Sequence, residues 1–72
     1  MKLLKTTGGT FINPAHVVTI LPRGVACVVQ LADGRRFEAA VTANKFAALW
    51  HLALDGELPD GLELNIEPAP VD

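Results

Sequence analysis

The groups in this chain that could do chemistry are few, and their spacing limits them further. His16 and His51 are the only imidazoles and Cys27 the only thiol. A zinc or catalytic centre needs several such groups to converge, and neither histidine has a Cys or a second His at ligand spacing. His51 precedes Asp55 by four residues, which on a helix makes a surface pair rather than a catalytic dyad. Cys27 sits among valines, where a lone cysteine is a small, inert core residue and not half of a nucleophile–base pair. Gly8-Gly9 lacks the Lys-Ser/Thr and the immediate helix of a phosphate-binding loop. The sequence therefore assigns no catalytic, cofactor-binding or metal-ligating residue, and the chain reads as a non-enzyme.

Binding chemistry is better represented. Residues 1–45 carry six basic side chains against two acidic ones, a charge of +4, while residues 46–72 carry six carboxylates and no Lys or Arg, a charge of −6. Such halves attract one another within one molecule or between two. Arg35 and Arg36 flank a hairpin tip and, with Arg23 at the other end of the sheet, are the candidate nucleic-acid contacts. Against that reading stand an isoelectric point near 5.5, the absence of tyrosine, and Phe and Trp residues that the pattern commits to the core.

The elements that must position these residues follow from the hydrophobic periods. Lys2–Thr6 and Thr10–Asn13 flank Gly8-Gly9 and predict a hairpin with a two-residue loop. Asn13-Pro14 punctuates the chain. Val17–Leu21 is a strand, Pro22-Arg23-Gly24 a turn, Val25–Leu31 a second strand and Arg35–Val41 a third. Face parity sets the last turn. Cys27, Val29, Leu31, Phe37, Ala39 and Val41 share one face only if Ala32-Asp33-Gly34 is a three-residue loop, pairing Leu31 with Arg35 and Val29 with Phe37. Gly34 then takes the left-handed conformation. The opposite face holds Val28, Gln30, Arg36, Glu38 and Ala40.

Thr42 reads as a helix N-cap, and Phe46, Leu49, Trp50 and Ala53 form the apolar stripe of a helix over about residues 43–54 that stops at Gly56. Leu62, Leu64 and Ile66 alternate with Glu63, Asn65 and Glu67 and predict a terminal strand, ended by Pro68-Ala69-Pro70. The expected fold is α+β: an antiparallel sheet of four to five strands with one amphipathic helix across one face. A chain of 72 residues makes one domain, expected over residues 1–66 with a flexible acidic tail at 67–72. No stretch is long and apolar enough for a bilayer span and no signal peptide is visible, so a cytoplasmic protein without a membrane partner is expected.

Gly9-Thr10-Phe11-Ile12-Asn13, Val17-Val18-Thr19-Ile20, the run Val28-Val29-Gln30-Leu31-Ala32-Asp33-Gly34-Arg35-Arg36-Phe37 and the closing Val41-Thr42 together resemble the small FlbD-like (SwrD-like) flagellar proteins over about residues 1–54. In place of that family's basic helical C-terminus, this chain has an acidic extension from Glu57 to Asp72. Residues 9–42 also look like the second half of a LytTR-type DNA-binding domain, for which Arg23, Arg35 and Arg36 are the positions to suspect. Neither resemblance carries over a catalytic residue.

One helix covers one face of the sheet, yet Val17, Val18, Ile20, Leu21, Val25 and Val28 continue on both. Small monomers seldom leave such apolar surface open. The expectation is a small bacterial or phage-like regulatory or adaptor protein acting by protein–protein contact, as a homodimer. Val18, Ile20, Val28, Arg36 and Glu38 are its candidate partner-binding residues. A DNA-binding module with a basic hairpin and a phage-type accessory protein that binds a host enzyme are the alternatives. No cofactor or small-molecule substrate is implied.

Overall fold

The computed structural model describes residues 1–60, 62 and 64–69. Strands β1 (Leu4–Lys5) and β2 (Phe11–Ile12) form a two-stranded ribbon. After a 3-10 turn at Pro14–His16 come β3 (Val17–Arg23), β4 (Ala26–Leu31), β5 (Arg36–Ala39), helix α1 (Ala43–Asp55) and β6 (Ile66–Pro68). The four longer-range strands make an antiparallel sheet in the order β3-β4-β5-β6. The α+β class and one α-helix packed on the sheet are as expected, and among the described residues the strands divide into a sheet of four and a separate ribbon.

The β4–β5 register is the one parity demands. Val29 pairs with Phe37, the Leu31 N–H donates to the Arg35 carbonyl at 2.8 Å, and Gly34 has φ 91°. The helix also starts and stops where its caps dictate. The Thr42 hydroxyl accepts from the Lys45 N–H at 3.2 Å, and Gly56 turns left-handed with φ 75°. Phe46 and Ala53 are buried and Leu49 and Trp50 half-buried against the sheet. At Asn13 the side chain caps the 3-10 turn by accepting from the Ala15 N–H.

Four expectations are corrected. The first hairpin has a three-residue loop, Thr7-Gly8-Gly9: Leu4 pairs with Ile12, and the Thr6 N–H donates to the Thr10 carbonyl at 2.7 Å. Only that pairing buries both Leu4 and Ile12. The β3–β4 turn is Gly24-Val25, closed by the Arg23–Ala26 pair, so Pro22 and Arg23 belong to the strand. Positive φ at Gly24 but not at Val25 is the pattern of a type II′ hairpin turn. Pro22 is tolerated because β3 is an edge strand and its nitrogen points away from β4, one pair beyond the closing pair. The terminal strand begins at Ile66 rather than Leu62, and neither Leu62 nor Leu64 is in a strand; Glu63 lies outside the described residues. Finally, Pro68 does not end the pairing. It lies opposite Phe37, and the Ala69 N–H reaches the Arg36 carbonyl at 2.9 Å, so Glu67 and Pro68 belong to the sheet and not to a tail. The remainder of that expected tail, 70–72, lies outside the described residues.

The core sits between the inner sheet face and α1. Cys27, Val29, Leu31, Phe37, Ala39 and Ile66 meet Phe46 and Ala53, and Leu4, Ile12 and Leu58 close one side. The N-terminus is strapped to the far end of the helix: the Lys2 N–H donates to the Ala53 carbonyl, and its ammonium to the Leu58 carbonyl and Asp60, each at 2.8 Å.

Candidate functional site

The outer face of the sheet, opposite α1, can be laid out from the strand register. Its middle row runs Leu21, Val28, Glu38, Glu67 across β3 to β6. On one side lie Thr19, Gln30 and Arg36, and on the other Arg23 and Ala26. No described element covers this face. Leu21 is 45% exposed and Val28 half-buried, and along the same hairpin Val18 is 59% and Val25 86% exposed. Val18 owes its position to a β-bulge: Val17 pairs with Leu31 and Thr19 with Gln30, which leaves Val18 unopposed.

Charges cross this apolar row. The Arg23 guanidinium on β3 reaches Glu38 on β5 at 3.5 Å, spanning β4 over Ala26 and Val28. Glu38 and Glu67 stand directly opposite one another, an unfavourable like-charge neighbour pair on an exposed face. At the hairpin tip the Asp33 carboxylate accepts from the Arg35 backbone N–H at 3.0 Å and from its guanidinium at 2.6 Å. The backbone hydrogen bond first, then the guanidinium, hold Asp33 below the usual carboxylate range. The Arg35 guanidinium also lies 6.0 Å from the Phe37 ring centroid. Arg36 makes no ion pair within 4.0 Å among the described residues.

Of the expected partner-binding residues, the sheet brings Val28, Arg36 and Glu38 onto one face. Ile20 is not with them. It pairs with Val29 and so points, half-buried, to the helix side, because the bulge at Val18 resets the alternation of β3. Leu21 takes its place, and β-strand alternation restarted after a bulge is the only signal that marks it; Val25 is exposed in the Gly24-Val25 turn. The expected nucleic-acid contacts are not brought together: Arg23 lies at the Gly24-Val25 end of the sheet, and Arg35 and Arg36 at the Asp33-Gly34 end.

The reactive groups are dispersed. Cys27 is fully buried, and burial pushes its thiol above the usual value. His16 and His51 are exposed. The His51 ring lies 5.2 Å from the Trp50 ring at 56°, and among the described residues no His51–Asp55 ion pair forms. No cluster of three potential metal ligands occurs among the described residues. No helix among them is long and apolar enough to cross a membrane.

Phe11 departs from its expected core position: it is 56% exposed and, with Leu3, Leu58, Leu62 and Leu64, lines a groove of about 220 Å³ beside Lys5. It faces outward because Leu4 and Ile12, the even-numbered positions of the ribbon, take the core.

No protein-family model, curated protein or solved structure matches the chain.

Proposed function

We propose that the chain is a non-enzymatic interaction domain of the regulatory or adaptor kind, which works as a homodimer through the β3–β4 side of its sheet. One observation carries this reading. Leu21 and Val28 form an apolar pair on a sheet face that no described element covers, and Val18 and Val25 are exposed at the two ends of the same hairpin. Exposed apolar side chains gathered on one patch are a feature of association sites, whereas scattered ones are ordinary. The dispersal of Cys27, His16 and His51 supports the non-enzymatic part, as does a resemblance to FlbD-like proteins that brings no catalytic residue with it.

Sedimentation equilibrium tests the proposal, over a range from about 10 µM to about 1 mM that spans weak and moderate association. A monomer–dimer equilibrium is expected, and Leu21→Lys should abolish it while leaving the circular-dichroism spectrum unchanged. A strict monomer throughout the range removes the homodimer.

A further inference from the structure

We infer that the two copies pack face to face over their β3–β4 hairpins and exchange the Arg23–Glu38 ion pair, each Arg23 meeting the other protomer's Glu38. The inference rests on the homodimer reading and specifies its contacts.

Edge-to-edge pairing is blocked on both sides of the sheet. On β3 the Val18 bulge and Pro22, which has no N–H to give, leave only the neighbourhood of Ile20 for a ladder. On β6 the Pro68 nitrogen faces outward, and the Ile66 carbonyl is already occupied by the Thr7 N–H at 3.0 Å. What is left is the face. A two-fold axis parallel to the strands and between β3 and β4 sets Leu21 over Val28 of the second copy, Thr19 over Gln30, and Arg23 over Ala26. Symmetry repeats each contact. All three are complementary: apolar on apolar, hydroxyl on amide, and a long side chain over the smallest residue of the face.

This packing changes the reach of Arg23. Within one chain Arg23 stands on β3 and must cross β4 to meet Glu38 on β5, a separation of two strands, or about 10 Å between backbones. Packed as described, the second copy's Arg23 stands over β4, offset sideways from β5 by about 5 Å, with its side chain pointing down across the gap of about 10 Å between the two sheets. The 3.5 Å pair seen within the chain is the longest of its ion pairs among the described residues, and it lies across Val28, which the dimer needs uncovered. Transferring it to the neighbour frees Val28 and halves the sideways offset that the two side chains must close, while the Arg23 side chain itself extends across the gap between the sheets. Two hairpins bury less than about 1,200 Å², so the dimer is of the weak class.

Charge reversal with mixing separates a pair made between chains from one made within a chain. Arg23→Glu and Glu38→Arg are prepared singly and followed by sedimentation equilibrium alongside the wild type. Each reversal places two repulsive contacts in its own dimer, and self-association should weaken at least about tenfold. Mixed in equal amounts, the two variants restore both attractive contacts, one from each chain, and should dimerise within about threefold of the wild type. Both positions are exposed, and matching thermal melts confirm that the variants are folded. A wild type that dimerises while both single variants dimerise unchanged overturns the inference and leaves the homodimer standing on another surface. Variants that are weakened alone and stay monomeric when mixed overturn it too. A monomeric wild type overturns the homodimer reading itself.

Discussion

Among the glycines, Gly34 and Gly8 make a matched pair at the scale of single residues. Gly34 closes the β4–β5 hairpin with φ 91°, a conformation in which a Cβ crowds the neighbouring carbonyl, although its surroundings are open. Gly8 lies in the equivalent loop of the first hairpin without positive φ, and a Cβ there also meets nothing within 4 Å. The difference between them is therefore backbone strain alone. Gly34→Ala should cost about 1–2 kcal/mol by urea denaturation, whereas Gly8→Ala should be neutral or slightly stabilising, since it narrows the unfolded ensemble. Equal effects at the two positions would show that the β4–β5 turn does not hold its left-handed residue at Gly34. Asp33, two residues before Arg35, reinforces the same turn through its hydrogen bond to the Arg35 N–H.

At the scale of elements, Trp50 joins the helix to the start of the sheet. Its indole N–H donates to the Pro14 carbonyl at 2.7 Å, and its ring is half-buried against the core. Trp50→Ala removes both contributions and should cost about 3 kcal/mol, the low end for an aromatic truncation because the ring is only partly buried. Trp50→Phe keeps most of the apolar contact and should cost about 1 kcal/mol, the value of the lost hydrogen bond. A Trp50→Ala loss below about 1 kcal/mol would mean that the helix is held without this residue. The elements themselves were readable in the sequence wherever two independent constraints agreed. For β4 and β5, six apolar residues at odd positions and an Asp-Gly turn point to one register. The helix has its stripe, its Thr42 cap and its Gly56 stop. Where a local turn signal was followed alone, it misled. Gly8-Gly9 suggests a two-residue loop, yet Leu4 and Ile12 share a face only with three, and the parity argument that placed Ala32-Asp33-Gly34 applies there unchanged. Pro22 suggests a turn, but an edge strand accepts proline whose nitrogen faces solvent. The bulge at Val18 left no mark in the sequence, so the inward turn of Ile20 and the outward turn of Leu21 were not legible.

For the whole molecule, the question is what the sorted charges do once folded. Only one of the three ion pairs among the described residues, Lys2–Asp60, joins the basic half to the acidic half. The other two, Arg23–Glu38 and Arg35–Asp33, lie within residues 1–45 and neutralise Arg23 and Arg35 locally. The result is a sheet face of alternating sign, with Arg23 and Arg36 set among Glu38 and Glu67, rather than a basic surface. A phosphate backbone laid along that face meets carboxylates as often as guanidinium groups, and the arginines at its two ends are too far apart to act as one cluster. Nucleic-acid binding without sequence preference depends on accumulated positive charge and reaches Kd values of about 1–100 µM. In an electrophoretic titration at low salt, mixed-sequence duplex DNA should therefore form no complex in that range, and Arg36→Ala should change nothing. A complex that weakens steeply as salt rises, and weakens again in Arg36→Ala, would mean that Arg35 and Arg36 at the hairpin tip act apart from the carboxylates beside them. The outer face would then have to be treated as a binding surface for nucleic acid and not for a second copy.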